Sequence, residues 1–312
     1  MGGGRCYLLP MGTLQREGDG PPHPLGGECL VGRSRRSDLR LEAPEVSSNH
    51  AQIRWTSQGW EVTDLGSRNG TFLDGQRLTS GERVALRKGS ALSFGAQAPR
   101  WLMSSDSAPA AAATSLRDGR RIGAEGGLIA LSDTPPVSVY QDSEGAWVID
   151  SGGELAPAED LQVVELGGEA WRLALPDATA HTLEARLPSV SLLRLEFGVS
   201  RNEEYVTLRA QWAGGVVELG EKAHNYLLLT LARIRLRDRD AGDSSPGEEG
   251  WVDVDTLLSM LRVEESRLNV DIYRARKEAG HVGIEDAANL VERRRYKRQL
   301  RLGPDRITIE QL

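Results

Sequence analysis

Asp64-Leu65-Gly66-Ser67-Arg68-Asn69-Gly70-Thr71 is the stretch that decides the fold of the N-terminal part of this chain. Asn-Gly is a tight-turn dipeptide, because both residues tolerate the positive φ that a narrow β-turn demands. The turn follows the strand-like run Trp60-Glu61-Val62. Further runs of the same kind, Cys29-Leu30-Val31, Ala51-Gln52-Ile53-Arg54-Trp55 and Val84-Ala85-Leu86, lie on either side, separated by Gly, Asn and Asp. Short apolar runs punctuated in this way predict strands and turns, so residues 26–95 read as an all-β module.

The rest of the chain sets the context. A length of 312 residues exceeds one ordinary domain and predicts two or three units. With 27% charged, 39% hydrophobic and 5% aromatic residues, the composition is that of a soluble globular chain. The formal charge of −7 argues against coating nucleic acid by bulk electrostatics, although one basic domain fits inside an acidic total. Two cysteines, Cys6 and Cys29, provide neither a disulfide framework nor metal-ligand spacing, as expected in a reducing cytoplasm. The first apolar run is too short for a signal peptide, and no segment approaches the roughly 18 apolar residues of a membrane helix. A cytoplasmic protein with no membrane partner is the expectation.

Residues 104–116 are small and polar and read as a linker closing a first domain at 1–103. Residues 117–188 keep a strand-like pattern but change charge: between positions 104 and 185 there are four arginines against fourteen Asp and Glu. From 189 to 312, strands come first and helices after. Ala223, Leu227, Leu231 and Ile234, with Tyr226 beside them, predict an amphipathic helix over 221–237. A short helix with Leu257, Leu258 and Leu261 inward follows. A third begins near Ser266 as N-cap, with Leu268, Ile272, Ala275 and Ala279 on its buried stripe and Gly280 as its stop. Runs at 288–293, 299–302 and 306–309 predict a terminal β-hairpin. The expected architecture is multidomain: an all-β sandwich, a strand-rich acidic middle segment and a C-terminal α+β unit.

The first domain resembles the forkhead-associated (FHA) family over about seventy residues. The resemblance rests on Gly32-Arg33, Ser47-Ser48-Asn49-His50, the 64–71 stretch, Gly75 and Gly89-Ser90-Ala91-Leu92-Ser93-Phe94-Gly95, in that order. It implies an eleven-stranded sandwich whose end loops hold a phosphothreonine peptide. A phosphomonoester near neutral pH carries roughly 1.5 to 2 negative charges and three acceptor oxygens, so donors must converge on it. Arg33 offers a planar fork, Ser47 a compact hydroxyl, Arg68 a second cation and Asn69 an amide for the peptide backbone, with Ser48 flanking them. Gly32, His50 and Gly70 support the loops, His50 as a buttress for the one carrying Ser47. The family prefers threonine because its γ-methyl fills an apolar pocket, worth about 0.8 kcal/mol before shape is counted. Trp147-Val148-Ile149-Asp150 and Gly167-Gly168-Glu169-Ala170-Trp171 faintly echo this module, so the acidic segment reads either as a degenerate second copy without a site or as unrelated β-turn sequence.

Residues 192–309 resemble the winged-helix effector domain of OmpR/PhoB-type response regulators. The match is carried by Leu268-Asn269-Val270-Asp271-Ile272-Tyr273-Arg274-Ala275-Arg276-Lys277, which follows that family's recognition-helix pattern. The resemblance implies a third helix in the DNA major groove and a hairpin wing on an adjacent groove or backbone. The implied contacts are Arg267, Asn269, Tyr273, Arg274, Arg276 and Lys277 on the helix, and Arg293, Arg294, Arg295, Lys297 and Arg298 on the wing. Asp271 and Glu278 place negative charge on or near that face. From 186 to 312, basic and acidic residues number twenty-one each, so DNA affinity would come from local asymmetry.

The leading functional expectation is a phosphothreonine-dependent regulator of transcription. Its partners would be a Thr-phosphorylated protein, such as a Ser/Thr kinase or its substrate, and double-stranded DNA. An adaptor whose winged helix binds protein is the alternative. No Walker-type loop, Gly-x-Ser-x-Gly or His-Glu-x-x-His is present, so no enzyme, catalytic residue, metal, cofactor or small-molecule substrate is expected.

Overall fold

In the strand Gly59–Asp64, residues alternate between half-buried and buried, so that Trp60, Val62 and Asp64 all face inward. Alternation of this kind marks a sheet with one face on a core. The computed structural model describes residues 12–18, 22–56, 58–96, 98–176, 188–242, 245, 247–294 and 296–312. They fall into two compact units, Met1–Ala111 with Ala174–Thr182, and Ala112–Leu173 with Leu183–Leu312.

The first unit is a sandwich of eleven strands among the described residues. One sheet runs Leu39–Arg40, Glu28–Gly32, Ala51–Thr56, Gly59–Asp64, Arg83–Leu86. The other runs His23–Pro24, Thr13–Arg16, Trp101–Ser105, Ala91–Phe94, Thr71–Leu73, Gln76–Arg77. Leu14, Val31, Ile53, Trp60, Val62, Leu92, Phe94 and Met103 form the core, drawn from both sheets. Cys29 lies inside it, and burial pushes its thiol up to about 12, so it stays protonated and unreactive at neutral pH.

The stretch 104–116, expected as a linker, is structured. Ser104 and Ser105 close one strand, Ala112–Ser115 form another, and Ala112 and Ala113 are fully buried. Small side chains carry no strong apolar pattern in the sequence, yet the methyl groups of these two alanines are wholly removed from solvent.

In the second unit, residues 112–173 supply two four-stranded sheets. The first runs Arg121–Gly123, Ala112–Ser115, Glu169–Ala174, Val163–Leu166, and the second Ile129–Asp133, Pro136–Gln141, Trp147–Ser151, Glu154–Pro157. Instead of standing apart, this middle segment belongs to the same compact unit as the C-terminal part. Strands Arg194–Val199, Val206–Trp212 and Gly215–Glu221 come next, then helices α1 (Asn225–Ala241), α2 (Val254–Leu261) and α3 (Glu265–His281). Gly242, left-handed at φ 70°, ends α1 by returning its N–H to Asp238.

Three expectations shift here. The first helix begins at Asn225, leaving Ala223 ahead of it. α3 begins at Glu265 and runs through Gly280, whose missing Cβ serves packing: one built there would lie 2.6 Å from the Glu125 carbonyl oxygen. The hairpin consists of Val291–Arg294 and Gln299–Leu302, whereas Arg306–Gln311 leaves it and pairs in parallel with Arg194–Val199. No helix of the described residues is long and apolar enough to cross a membrane.

Candidate functional site

Three loops at one end of the first unit are stitched together by backbone. Arg33 N–H donates to the Ser47 carbonyl at 2.9 Å and Ser34 N–H to the Ser48 carbonyl at 3.1 Å. This approach requires glycine at position 32, where a Cβ would sit 2.2 Å from the Ser48 oxygen. The third loop joins through Arg68 N–H, which donates to Ser47 Oγ at 3.1 Å, and Asn69 Nδ2, which donates to the Glu45 carbonyl at 2.7 Å. Ser47 Oγ therefore accepts from the protein and keeps its own hydrogen for an incoming acceptor. Arg33, Ser48, Arg68 and Asn69 are exposed. The guanidinium groups of Arg33 and Arg68 have no partner among the described residues. Loops that carry two free cations and a hydroxyl with its hydrogen to spare can bind an anion.

Two buried residues hold these loops. Fully buried His50 accepts from Ser47 N–H through Nδ1 at 3.1 Å, and its Nε2 faces the Gly70 carbonyl at 3.3 Å. A carbonyl only accepts, so Nε2 carries the proton and the ring is neutral. Burial holds its pKa below the ordinary 6.5, against the raising effect of the Gly70 carbonyl and Asp64.

Asp64, 3% exposed, was quoted in the sequence motif without a role. Its carboxylate accepts from the N–H groups of Gly66, Ser67 and Thr71 and from the hydroxyls of Ser67 and Thr71. Burial opposes its ionisation, but the Ser67 and Thr71 bonds prevail and hold its pKa below the usual carboxylate range. The signal was present: an Asp followed by Gly, Ser and Thr at the spacings of an Asx turn.

Both shifts act in the same direction with pH. The lowered pKa of His50 means that the folded state disfavours the imidazolium, so stability present above 6.5 drains as pH falls below it; Asp64 adds a loss below about 4. An NMR titration of the His50 ring should give a midpoint below 6.5 and the Nε2–H tautomer. A midpoint above 6.5 would mean that the ring is solvated and the loop unbuttressed.

The second group of candidate residues is placed quite differently. α3 is buried on nearly every side, because strands of residues 112–173 cover the face that the sequence reading left to DNA. Arg276, 2% exposed, donates to Asp150 at 3.1 Å, to the Tyr140 hydroxyl at 3.0 Å and to the Val291 carbonyl. Burial works against the Asp150 charge, but Arg276 and then Arg293 hold its pKa low. Asn269 donates to the Gly152 carbonyl, and Tyr273 donates to Asp133. Lys277 pairs with Asp133 at 2.7 Å and Arg267 with Asp271 at 2.8 Å.

On the hairpin, Arg293 bonds to the Gly153 carbonyl at 3.1 Å and to Asn269 Oδ1 at 2.8 Å. Arg294 pairs with Glu248 and stacks on Trp251, and Arg298 pairs with Asp255 and Glu265. Arg295 lies outside the described residues. Arg274 and Lys297 remain exposed and make no hydrogen bond or ion pair among the described residues. The expected open basic face is therefore corrected: Asn269, Tyr273 and Arg276 are buried, and most of the cations are neutralised within the unit. Sequence spacing showed the stripe but not the carboxylates that meet it from more than a hundred residues away.

The comparisons with known proteins bear on the first site. The FHA domain model matches residues 29–95. The chain is 40% identical over 57 residues to FHA domain-containing protein FhaB of Mycobacterium tuberculosis, covering 18% of this chain and 37% of that one. It is 36% identical over 63 residues to the oxoglutarate dehydrogenase inhibitor of Corynebacterium diphtheriae, covering 19% and 44%. The chain thus spans less than half the length of these relatives. Among solved structures, the FhaA FHA domain complexed with the intracellular domain of Rv3910 aligns at 29% identity, covering 29% of this chain and 97% of that one, with a TM-score of 0.26. The three stitched loops lie within the matched span, and residues 29–95 are an FHA domain.

Proposed function

We propose that this protein is a phosphothreonine-dependent signalling protein without catalytic activity of its own, in which the FHA domain docks a Thr-phosphorylated partner such as a Ser/Thr kinase or its substrate. The observation that carries this reading is that Arg33 and Arg68, both exposed and with unpartnered guanidiniums, are tied through their backbone N–H groups to Ser47, the one at its carbonyl and the other at its hydroxyl. Retention on an immobilised phosphothreonine peptide library, compared with Arg33→Ala, tests it. Equal retention of the two proteins would overturn it.

For the C-terminal part, the order of strands, three helices and hairpin supports a winged-helix domain, and the basic residues of α3 and the hairpin support regulation through DNA. On that reading residues 112–173 act as a cover, with Asp133 and Asp150 standing where phosphate oxygens would lie. The same cover favours the adaptor reading, because DNA can reach Asn269, Tyr273 and Arg276 only after the sheets leave. Titrating duplex DNA against the full chain with and without phosphopeptide separates the two. Phosphopeptide-stimulated, salt-dependent binding supports the regulator, and a flat titration supports the adaptor.

A further inference from the structure

The loops around the phosphate site carry more positive charge than one phosphothreonine can use. Residues 33–37 are Arg-Ser-Arg-Arg-Ser, residues 47–50 Ser-Ser-Asn-His and residues 65–70 Leu-Gly-Ser-Arg-Asn-Gly, four arginines and no acid. A single phosphomonoester brings roughly −1.5 to −2, which Arg33 and Arg68 already balance. Arg35 and Arg36 are left over. Both are exposed, and neither guanidinium has a partner among the described residues.

Their loop is not loose. Ser34 N–H bonds to the Ser48 carbonyl, Ser37 N–H to the Ser34 carbonyl, Arg36 N–H to Ser34 Oγ and Ser37 Oγ to the Ser48 carbonyl. The segment bearing Arg35 and Arg36 is therefore fastened to the same loop that presents Ser47. On the far side, the Arg77 guanidinium lies against Gly70, close enough that a Cβ there would meet its Nε at 2.4 Å. Of the nearby acids, Asp64 is buried and saturated with donors from its own loop, Glu42 pairs with Arg40, and among the described residues only Asp38 and Glu45 keep their charge free beside the four arginines. The matched segment has ten basic and seven acidic residues, in a chain whose total is −7.

We infer that the site selects phosphothreonine set in an anionic flank, with Arg35 and Arg36 as the residues that read the flanking charge. This rests on the phosphothreonine reading above and adds to it the class of ligand. The flanking charge comes either from Asp and Glu side chains or from a second phosphate, and both present oxygen anions to an arginine fork. Cations fixed beside the docking site also raise the encounter rate of an acidic peptide, in a manner screened by salt.

Fluorescence anisotropy with the full chain tests the inference. Four peptides are compared: phosphothreonine in neutral flanks, phosphothreonine in Asp/Glu flanks, phosphothreonine with a neighbouring phosphoserine, and the acidic peptide without phosphate. The expected result is an anionic-to-neutral affinity ratio of about ten at low salt, falling towards one in Arg35→Ala/Arg36→Ala and at high ionic strength. A gain shared by both anionic peptides identifies charge as what is read, and a gain confined to the doubly phosphorylated one identifies phosphate. A ratio near one in the wild type, or one that survives the double substitution, overturns the inference while leaving the phosphothreonine reading intact. Failure of the phosphothreonine peptide in Asp/Glu flanks to bind better than the same acidic peptide without phosphate overturns that reading and this inference with it. Because both arginines are exposed and unpaired, thermal unfolding of the double variant should match the wild type.

Discussion

Arg33→Ala is expected to weaken binding of a phosphothreonine peptide by about 100- to 1,000-fold, measured by isothermal titration or anisotropy on the full chain. A hydrogen bond to a charged group contributes about 1.5 to 3 kcal/mol, and a guanidinium fork makes two of them to a phosphate. Two such bonds in the lower part of that range amount to roughly 3 to 4 kcal/mol, which is two to three decades in affinity. The fold should be unaffected, because the structural tie at this position is the Arg33 N–H to the Ser47 carbonyl, which alanine keeps. Arg33→Lys restores charge without the fork and should recover only part of the loss. A variant that binds as tightly as the wild type would place the phosphate elsewhere.

The second large effect concerns stability. Arg276→Ala should destabilise the second unit by about 3 to 5 kcal/mol, because it removes the ion-pair partner of buried Asp150, which keeps the Tyr140 hydroxyl and Gly153 N–H as donors, and takes the guanidinium donor from the Val291 carbonyl. In a unit of this size that corresponds to a fall in the thermal midpoint on the order of 10 °C. Arg274→Ala, on the same helix but exposed, should change stability by less than about 0.5 kcal/mol. The contrast discriminates between roles for α3. If Arg276→Ala were thermally neutral and acted on DNA binding alone, the face would be open in solution.

The phosphate site was legible because its parts are short, local and ordered along the chain. Gly32-Arg33, Ser47 to His50 and Asp64 to Thr71 each form one loop, and loop chemistry is written in adjacent residues. Asp64 escaped assignment because its work is done inward, by saturating its oxygens with donors from the loop it anchors. The helices were legible from period 3.6 spacing, but periodicity describes one buried stripe, and α3 is buried on its polar side as well. Its second partner is a sheet more than a hundred residues upstream, met through Asp133, Asp150 and the Gly152 carbonyl. Composition alone made residues 117–188 read as a separate acidic segment. Gly280 looked like a helix stop for a related reason, since a glycine chosen for close packing and one chosen for a cap are identical in the sequence.

That glycine has a consequence for how the chain can change through descent. A methyl group on Gly280 would meet the Glu125 carbonyl, and one on Gly126 would lie 2.4 Å from the Gly280 Cα. Neither backbone can acquire a side chain unless the other recedes. The two backbones therefore constrain each other's substitutions, and a recombination event that exchanged residues 112–173 as a cassette would have to bring a glycine-width approach to α3 with it.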